Sequence, residues 1–408
     1  MRGIGSARAV GDQALWALTN FAVVVLVARG ADTAEFGLFG IAYSVLIISA
    51  GLSNALAGEV LAVTRGMTIR RGRTSVENLE AISGTKRRAM GVVCIFAVSV
   101  PILVAAVALL YAPSDGVQRS IWVIVAFSPI VVLAEGIRSI FYALRRVNEA
   151  LLMSLTWVIM QTTVVGGLWM TGGLTPQGAA FAWSLGGLAA VVASMWTHPL
   201  IPAFGGVPRE EWHRRRQFGM EYIATAVPAQ ALVFIAGAML GLSGAAVVRA
   251  MQSLFGPLNV VLAGIRNAVV PVVSQEPGGA RRAGVVVAAL SVAATTALTI
   301  VFAAFPNLGT VFLGASWPRD SLLVVGFGLG RCAVGVVLGA LIIFRAWDQG
   351  NWSSRLRVVS ALSVLAPFAA GALVDLNWAV WASSIASLSV ASLWWWVAHN
   401  VRPQCGDR

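Results

Sequence analysis

Long apolar runs alternate with short polar connections along this chain, and the runs set its architecture. Helical residues rise about 1.5 Å each, so a run of some 20 crosses the hydrocarbon core of a bilayer. Read in order, runs and breaks predict twelve membrane helices, over 10–28, 38–63, 90–111, 120–144, 151–170, 177–196, 220–240, 249–271, 285–305, 321–344, 358–374 and 378–398. The breaks carry Pro, Gly and Asp, as in APSDGVQR, TGGLTP and QEPGGARRAG. The longest, HPLIPAFGGVPREEWHRRRQFG (His198 to Gly219), divides the chain. We therefore expect a six-helix bundle over 1–197, a cytoplasmic linker over 198–219, and a second six-helix bundle with a short tail over 220–408. The first run is interrupted by Asp12, Gln13, Thr19 and Asn20 and ends in a poor cleavage site, so it reads as a retained helix rather than a signal peptide.

Composition agrees with an all-α integral membrane protein. Hydrophobic residues make up 58% of the chain and charged residues 11%. The mean hydropathy is +0.81. A soluble domain of this size needs far more surface charge. Cys94, Cys332 and Cys405 are scattered and have no metal-ligand spacing, so neither a disulfide framework nor a metal site is expected.

The net charge of +12 would suggest nucleic acid if the basic residues were clustered. Their placement says otherwise. With the N-terminus inside, 22 of the 29 basic residues fall on one side of the predicted membrane. Only Arg29, Arg119 and Arg319 fall on the other, and Arg138, Arg249, Arg266 and Arg331 lie within spans. That asymmetry is an orientation signal, with both termini cytoplasmic and anionic lipid heads as partners of the basic loops. Trp169, Trp196, Trp317, Trp347, Trp378 and Trp394 to Trp396 sit near predicted helix ends, where interface anchors are expected. Lys86 is the sole lysine, a bias typical of GC-rich bacterial coding sequence, and the expected location is a bacterial cytoplasmic membrane.

The spans also hold polar positions that lipid does not tolerate. In Arg249 to Pro271, the residues Arg249, Gln252, Gly256, Asn259, Ala263 and Arg266 recur at steps of three and four and share one helical face. Such a stripe must line a watery cavity or pack against other polar helices. Arg331 lies near the middle of its span, where facing lipid costs from a few to more than about 10 kcal/mol. Two readings stand for it: contact with an anionic substrate, or a structural partner such as a helix-end carbonyl. The GFGLG and GVVLG stretches around it are small-xxx-small pairs suited to close helix packing. Asp12, Glu59, Glu135, Arg138, Glu221 and Arg266 lie toward the cytoplasmic ends of their spans. Glu135 and Arg138, three apart, can pair on their own helix. The alternative is an inner gate, or ion coupling, through these residues.

Enzyme chemistry finds little support. His198, His213 and His399 are all in connections or the tail, and no H-E-x-x-H, G-x-S-x-G or P-loop pattern occurs. Ser83 to Lys86 matches S-x-x-K but sits in a basic loop, where chance explains it. No cofactor is expected.

Helices 1–2 and 7–8 show a faint parallelism, with Asp12 and Glu221 at the inner ends and Asn20 and Gln230 in mid-helix. Both halves start inside, which makes any repeat parallel rather than inverted. The stretches ALWALTNFAVVVLVARGADTAEFGLFGIAYSVL, GLSNALAGEVL and RAMQSLFGPLNVVLAGIRN resemble bacterial polysaccharide-export proteins. These include O-antigen-type flippases of the MATE-like multidrug/oligosaccharidyl-lipid/polysaccharide exporter superfamily. The resemblance implies two six-helix bundles around a central cavity that opens alternately to each side. It also implies a cationic cavity for the pyrophosphate and sugars of a lipid-linked oligosaccharide, with polysaccharide-assembly proteins as partners. Arg249, Arg266 and Arg331 are the positions that would supply the charge, and Gln252 and Asn259 would meet sugar hydroxyls. The rivals are a drug or metabolite antiporter of the same superfamily, a membrane enzyme acting on lipid-linked sugars, and a non-transporting membrane partner.

Overall fold

The computed structural model describes residues 2–70, 75–111, 115–258, 279–347 and 350–400. Among them the chain is helical almost throughout, and eleven helices are long and apolar enough to cross a membrane. Its fold class is therefore the all-α membrane architecture expected from the runs. The helices are α1 (Arg2–Gly30), α2 (Thr33–Asn54), α3 (Val60–Arg70), α4 (Ser75–Tyr111), α5 (Asp115–Ala143), α6 (Val147–Met170), α7 (Pro176–Thr197) and α8 (Arg209–Leu254), followed by α9 (Ala280–Ala304), α10 (Pro306–Leu313), α11 (Ser321–Ala346), α12 (Gly350–Ala372) and α13 (Leu376–Asn400). A π turn, Ala55–Glu59, joins α2 to α3, so the second predicted span is one rod with a single wide turn in it.

Local chemistry fixes the ends. Asp32 caps α2 by accepting from the Glu35 amide at 2.8 Å, and Thr175 caps α7 with Pro176 in the first turn. Asp320 caps α11 in the same way through the Leu322 amide. Inside α8 the helix breaks at Gly241, whose φ of 77° and ψ of −179° suit glycine alone. That break separates the seventh and eighth predicted spans. Most of the eighth, including Asn259 and Arg266, lies outside the described residues.

Four expectations are corrected. The basic segment after the second span is mostly helix, because α3 runs on to Arg70 and α4 starts at Ser75. With 37 residues, α4 is about 55 Å long and far exceeds a bilayer core. Residues 209–219, read as connection, form the first turns of α8. The segment PNLGTVFLGASWPRD contains α10, started by Pro306 in its first turn and ended at Gly314 with φ 58°. Finally, Trp317, Trp347 and Trp394 are buried rather than interfacial, whereas Trp169, Trp196, Trp378 and Trp396 are exposed. Trp394 turns inward because its ring N–H reaches Ser360 Oγ at 2.8 Å, and Trp317 packs over Gly309 and Phe302.

The fold has two compact units, Met1–Gln230 and Ala231–Arg408. In the first, α4 and α5 pack together, α6 packs on α7, and α2 and α7 both lie on α5. In the second, α11 is central, flanked by α9 and α13. Glycines permit that closeness. A Cβ on Gly284 would lie 2.7 Å from the Gly339 carbonyl oxygen, and one on Gly339 would strike the Gly284 carbonyl. Likewise Gly335 meets Ser291 of α9, and Gly330 meets Ser384 of α13. The small-residue pairs in the sequence thus do pack helices.

The exterior is greasy and the interior partly polar, as lipid requires. Ile95, Val98, Ile102 and Leu109 form an exposed stripe on α4. Ser291, Thr295 and Thr299 are buried on α9, each donating to the carbonyl four residues back at 2.6–2.8 Å, so these three hydroxyls are satisfied within their own helix.

Candidate functional site

Two polar loci stand out, one in each unit. The first is built on Asp12 of α1, which is wholly buried. Its Oδ2 accepts from Arg138 Nη1 at 2.8 Å and from the Tyr142 hydroxyl, and its Oδ1 accepts from Ser154 Oγ at 2.5 Å. Arg138 spends its other terminal nitrogen on Glu135 at 3.1 Å. Its guanidinium also lies 4.3 Å from the centre of the Trp16 ring. The geometry follows from helix periodicity. Glu135, Arg138 and Tyr142 lie on one face of α5 at steps of three and four, and Asp12 and Trp16 share a face of α1. The expected Glu135–Arg138 pair is present, with Asp12 added to it.

From Trp16 an aromatic column runs away from the charges. Trp16 meets Trp157 edge-on at 4.6 Å, Trp157 meets Trp183 at 5.9 Å, and Trp183 meets Tyr43 at 5.7 Å. Tyr43 donates to Asn20 Oδ1 at 3.0 Å, tying the column back to α1. Gly186 and Gly187 of α7 leave the space that the Trp157 ring fills. The column adjoins the charge cluster through Trp16, over which the Arg138 guanidinium lies. Two carboxylates, those of Asp12 and Glu135, share the Arg138 guanidinium. Both Asp12 oxygens are already engaged. Glu135 is the more exposed partner, so its carboxylate is the open end of the cluster.

Glu59 is exposed at the end of the π turn, and Glu221 is partly buried on α8. Beside Glu221, Tyr222 donates to the Ile47 carbonyl at 3.1 Å and its ring end occupies the space above Gly51.

The second locus is in the unit Ala231–Arg408. Arg249 and Gln252 are buried on α8, and Ser253 donates back to the Arg249 carbonyl at 2.8 Å. Arg331 is held on α11, about 15 Å of helix from Ser321. Its guanidinium lies 5.6 Å from the Phe327 ring, which packs on Phe255 at 5.7 Å. Among the described residues Arg331 meets no carboxylate, and its Nε is buried without a hydrogen bond. Asn259 and Arg266, the remaining members of the predicted stripe, lie outside the described residues.

Tyr142, Ser154 and Trp16 went unremarked in the sequence. Tyr142 had a signal, since it extends the Glu135–Arg138 stripe by one turn. Ser154 had none, because one hydroxyl in an apolar run is common.

No protein-family model and no curated protein matches the chain. Solved structures do. A multidrug resistance MATE-family transporter of the MOP superfamily in its inward-facing conformation superposes with a TM-score of 0.74, at 14% identity, over 95% of this chain and 94% of its own. The outward-facing conformation of such a transporter gives 0.67 at 15% identity, covering 97% and 93%. A MOP-superfamily transporter from Pyrococcus furiosus, described as having a binding pocket of reverse polarity that suggests a different function, gives 0.68 at 14% identity, covering 97% and 93%. The chain therefore has the fold of the MATE transporters of this superfamily.

Proposed function

We propose that the protein is a transporter that flips or exports an anionic lipid-linked oligosaccharide or polysaccharide precursor across the bacterial cytoplasmic membrane by alternating access. Alternation is supported by the fold, because solved structures that share it are inward-facing in one case and outward-facing in another. The substrate class rests on one observation: the charge inventory of the second unit. After Gln230 the only acids are Glu276, Asp320, Asp348, Asp375 and Asp407, all in connections or the tail. The apolar spans there carry Arg249, Arg266 and Arg331 and no carboxylate. Arg331, which meets no carboxylate among the described residues, is suited to bind a phosphate or pyrophosphate. In this reading Arg331, Arg249 and Arg266 hold the anion, Gln252 and Asn259 meet sugar hydroxyls, and polysaccharide-assembly proteins receive the product. The Asp12–Glu135–Arg138 cluster, with Glu59 and Glu221, supplies gating or ion coupling. No reaction is catalysed.

The neighbours' description as multidrug resistance transporters favours a second reading, an ion-coupled drug or small-molecule antiporter. Mass spectrometry of lipid extracts from a deletion strain separates the two. Accumulation of a complete polyprenyl-pyrophosphate oligosaccharide, cleared by wild type but not by normally expressed Arg331→Ala, supports the flippase. An unchanged lipid pool with altered drug susceptibility refutes it in favour of the antiporter.

A further inference from the structure

The segment Ile201–Arg216 gathers exposed basic and apolar side chains. Trp212, His213 and Arg216 lie three, four and seven residues after Arg209, so the first turns of α8 present all four on a single stripe. All four are exposed, Trp212 at 61%. Together with Glu210 and Arg214 they line a depression of about 590 Å³. The opposite face of the same turns is locked into the protein. Glu211 and Arg215 are buried there, and Glu211 accepts from Arg215 at 2.6 Å and from Arg88 at 2.6 Å. Glu211 is thus saturated by two inward arginines and cannot neutralise the outward ones. Glu210 pairs with Arg214 at 3.6 Å. Arg209 and Arg216 have no ion-pair partner among the described residues.

The depth of this stripe is also fixed. The Ala203 amide donates to the Arg87 carbonyl at 2.9 Å, and Gly91 of α4 lies against the Ala203 carbonyl. Arg87 and Arg88 immediately precede the apolar run of α4 that begins at Met90, so residues 201–216 are pinned where that helix enters hydrocarbon. Ile201 and Phe204 are exposed at the same level, at 62% and 70%. An exposed cationic cluster flanked by exposed Trp, Phe and Ile at that depth matches the interface: apolar rings among upper acyl chains, guanidinium groups at phosphate level.

We propose that this stripe is a binding site for the phosphate of an anionic phospholipid headgroup, gripped by Arg209 and Arg216, with Trp212 packed on the glycerol and first methylenes. The charge is complementary, and the flanking apolar side chains select a lipid over a soluble phosphate. The site is independent of the transport reading.

The test uses purified full-length protein and native mass spectrometry, titrating phosphatidylglycerol against phosphatidylcholine of the same acyl chains. Wild type should retain phosphatidylglycerol preferentially. A basic residue at a membrane surface is worth about fivefold in affinity, so Arg209→Gln and Arg216→Gln should each lose about that much and the double variant about twenty-five-fold. Arg282→Gln, an exposed arginine on α9, should change nothing. Absence of a phosphatidylglycerol preference in wild type, or an equal loss with Arg282→Gln, overturns the proposal. Equal displacement of the lipid by inorganic phosphate at matched ionic strength also overturns it, by making the site one for free phosphate.

Discussion

Removing the Asp12 carboxylate tests whether the buried cluster holds the first unit together. In Asp12→Ala, Arg138 keeps only Glu135, and the Tyr142 and Ser154 hydroxyls lose their acceptor. Breaking a buried pair from one side costs about 3–5 kcal/mol, because the remaining charge stays desolvated. Arg138 is 8% exposed and Asp12 is 0% exposed, so solvent offers little relief. With about 2–4 °C per kcal/mol for a unit of this size, the melting temperature should fall by roughly 6–20 °C. Thermal unfolding in detergent, followed by tryptophan fluorescence, reads this directly, since Trp16, Trp157 and Trp183 adjoin the cluster. The variant Asp12→Ala/Arg138→Leu should recover part of the loss, because it removes the desolvated arginine and the Glu135 left behind is partly exposed to solvent. An unchanged melting temperature in Asp12→Ala, or a double variant less stable than either single, would refute this reasoning.

Two further predictions concern backbone packing. Gly339→Ala places a methyl against the Gly284 carbonyl and should cost about 1–3 kcal/mol by forcing α9 from α11, whereas Gly166→Ala, with open space at its Cβ, should be neutral or slightly stabilising in the same thermal assay. Gly241→Ala forces a side chain into a glycine-only conformation and should cost about 1–3 kcal/mol. Equal melting temperatures for Gly241→Ala and wild type would show that the α8 break is relaxed in solution.

The proposed Arg331 and Arg209 experiments bear on different links of the chain from structure to function. Arg331 sits in a span and is tested through the lipid-linked pool of a cell. Arg209 and Arg216 sit at an interface and are tested through bound lipid, so failure of one leaves the other standing.

The order of the apolar helices was legible in the sequence itself, because spanning a bilayer demands an unbroken apolar run, but several ends were not, since α3, α4 and α8 extend beyond the expected spans. The Glu135–Arg138 pair was also readable, being local to one helix. Asp12 joining that pair across 126 residues, the Trp16–Trp157–Trp183 column and the inward turn of Trp394 were not. These depend on which helix faces meet, and in an apolar span most faces look alike. The π turn and the break at Gly241 likewise arise from packing: glycine permits the Gly241 conformation but does not require it. Helix existence follows from the solvent the chain must satisfy. Helix neighbours, and hence the polar loci, follow from close packing of particular side chains against particular glycines, which only the folded chain settles.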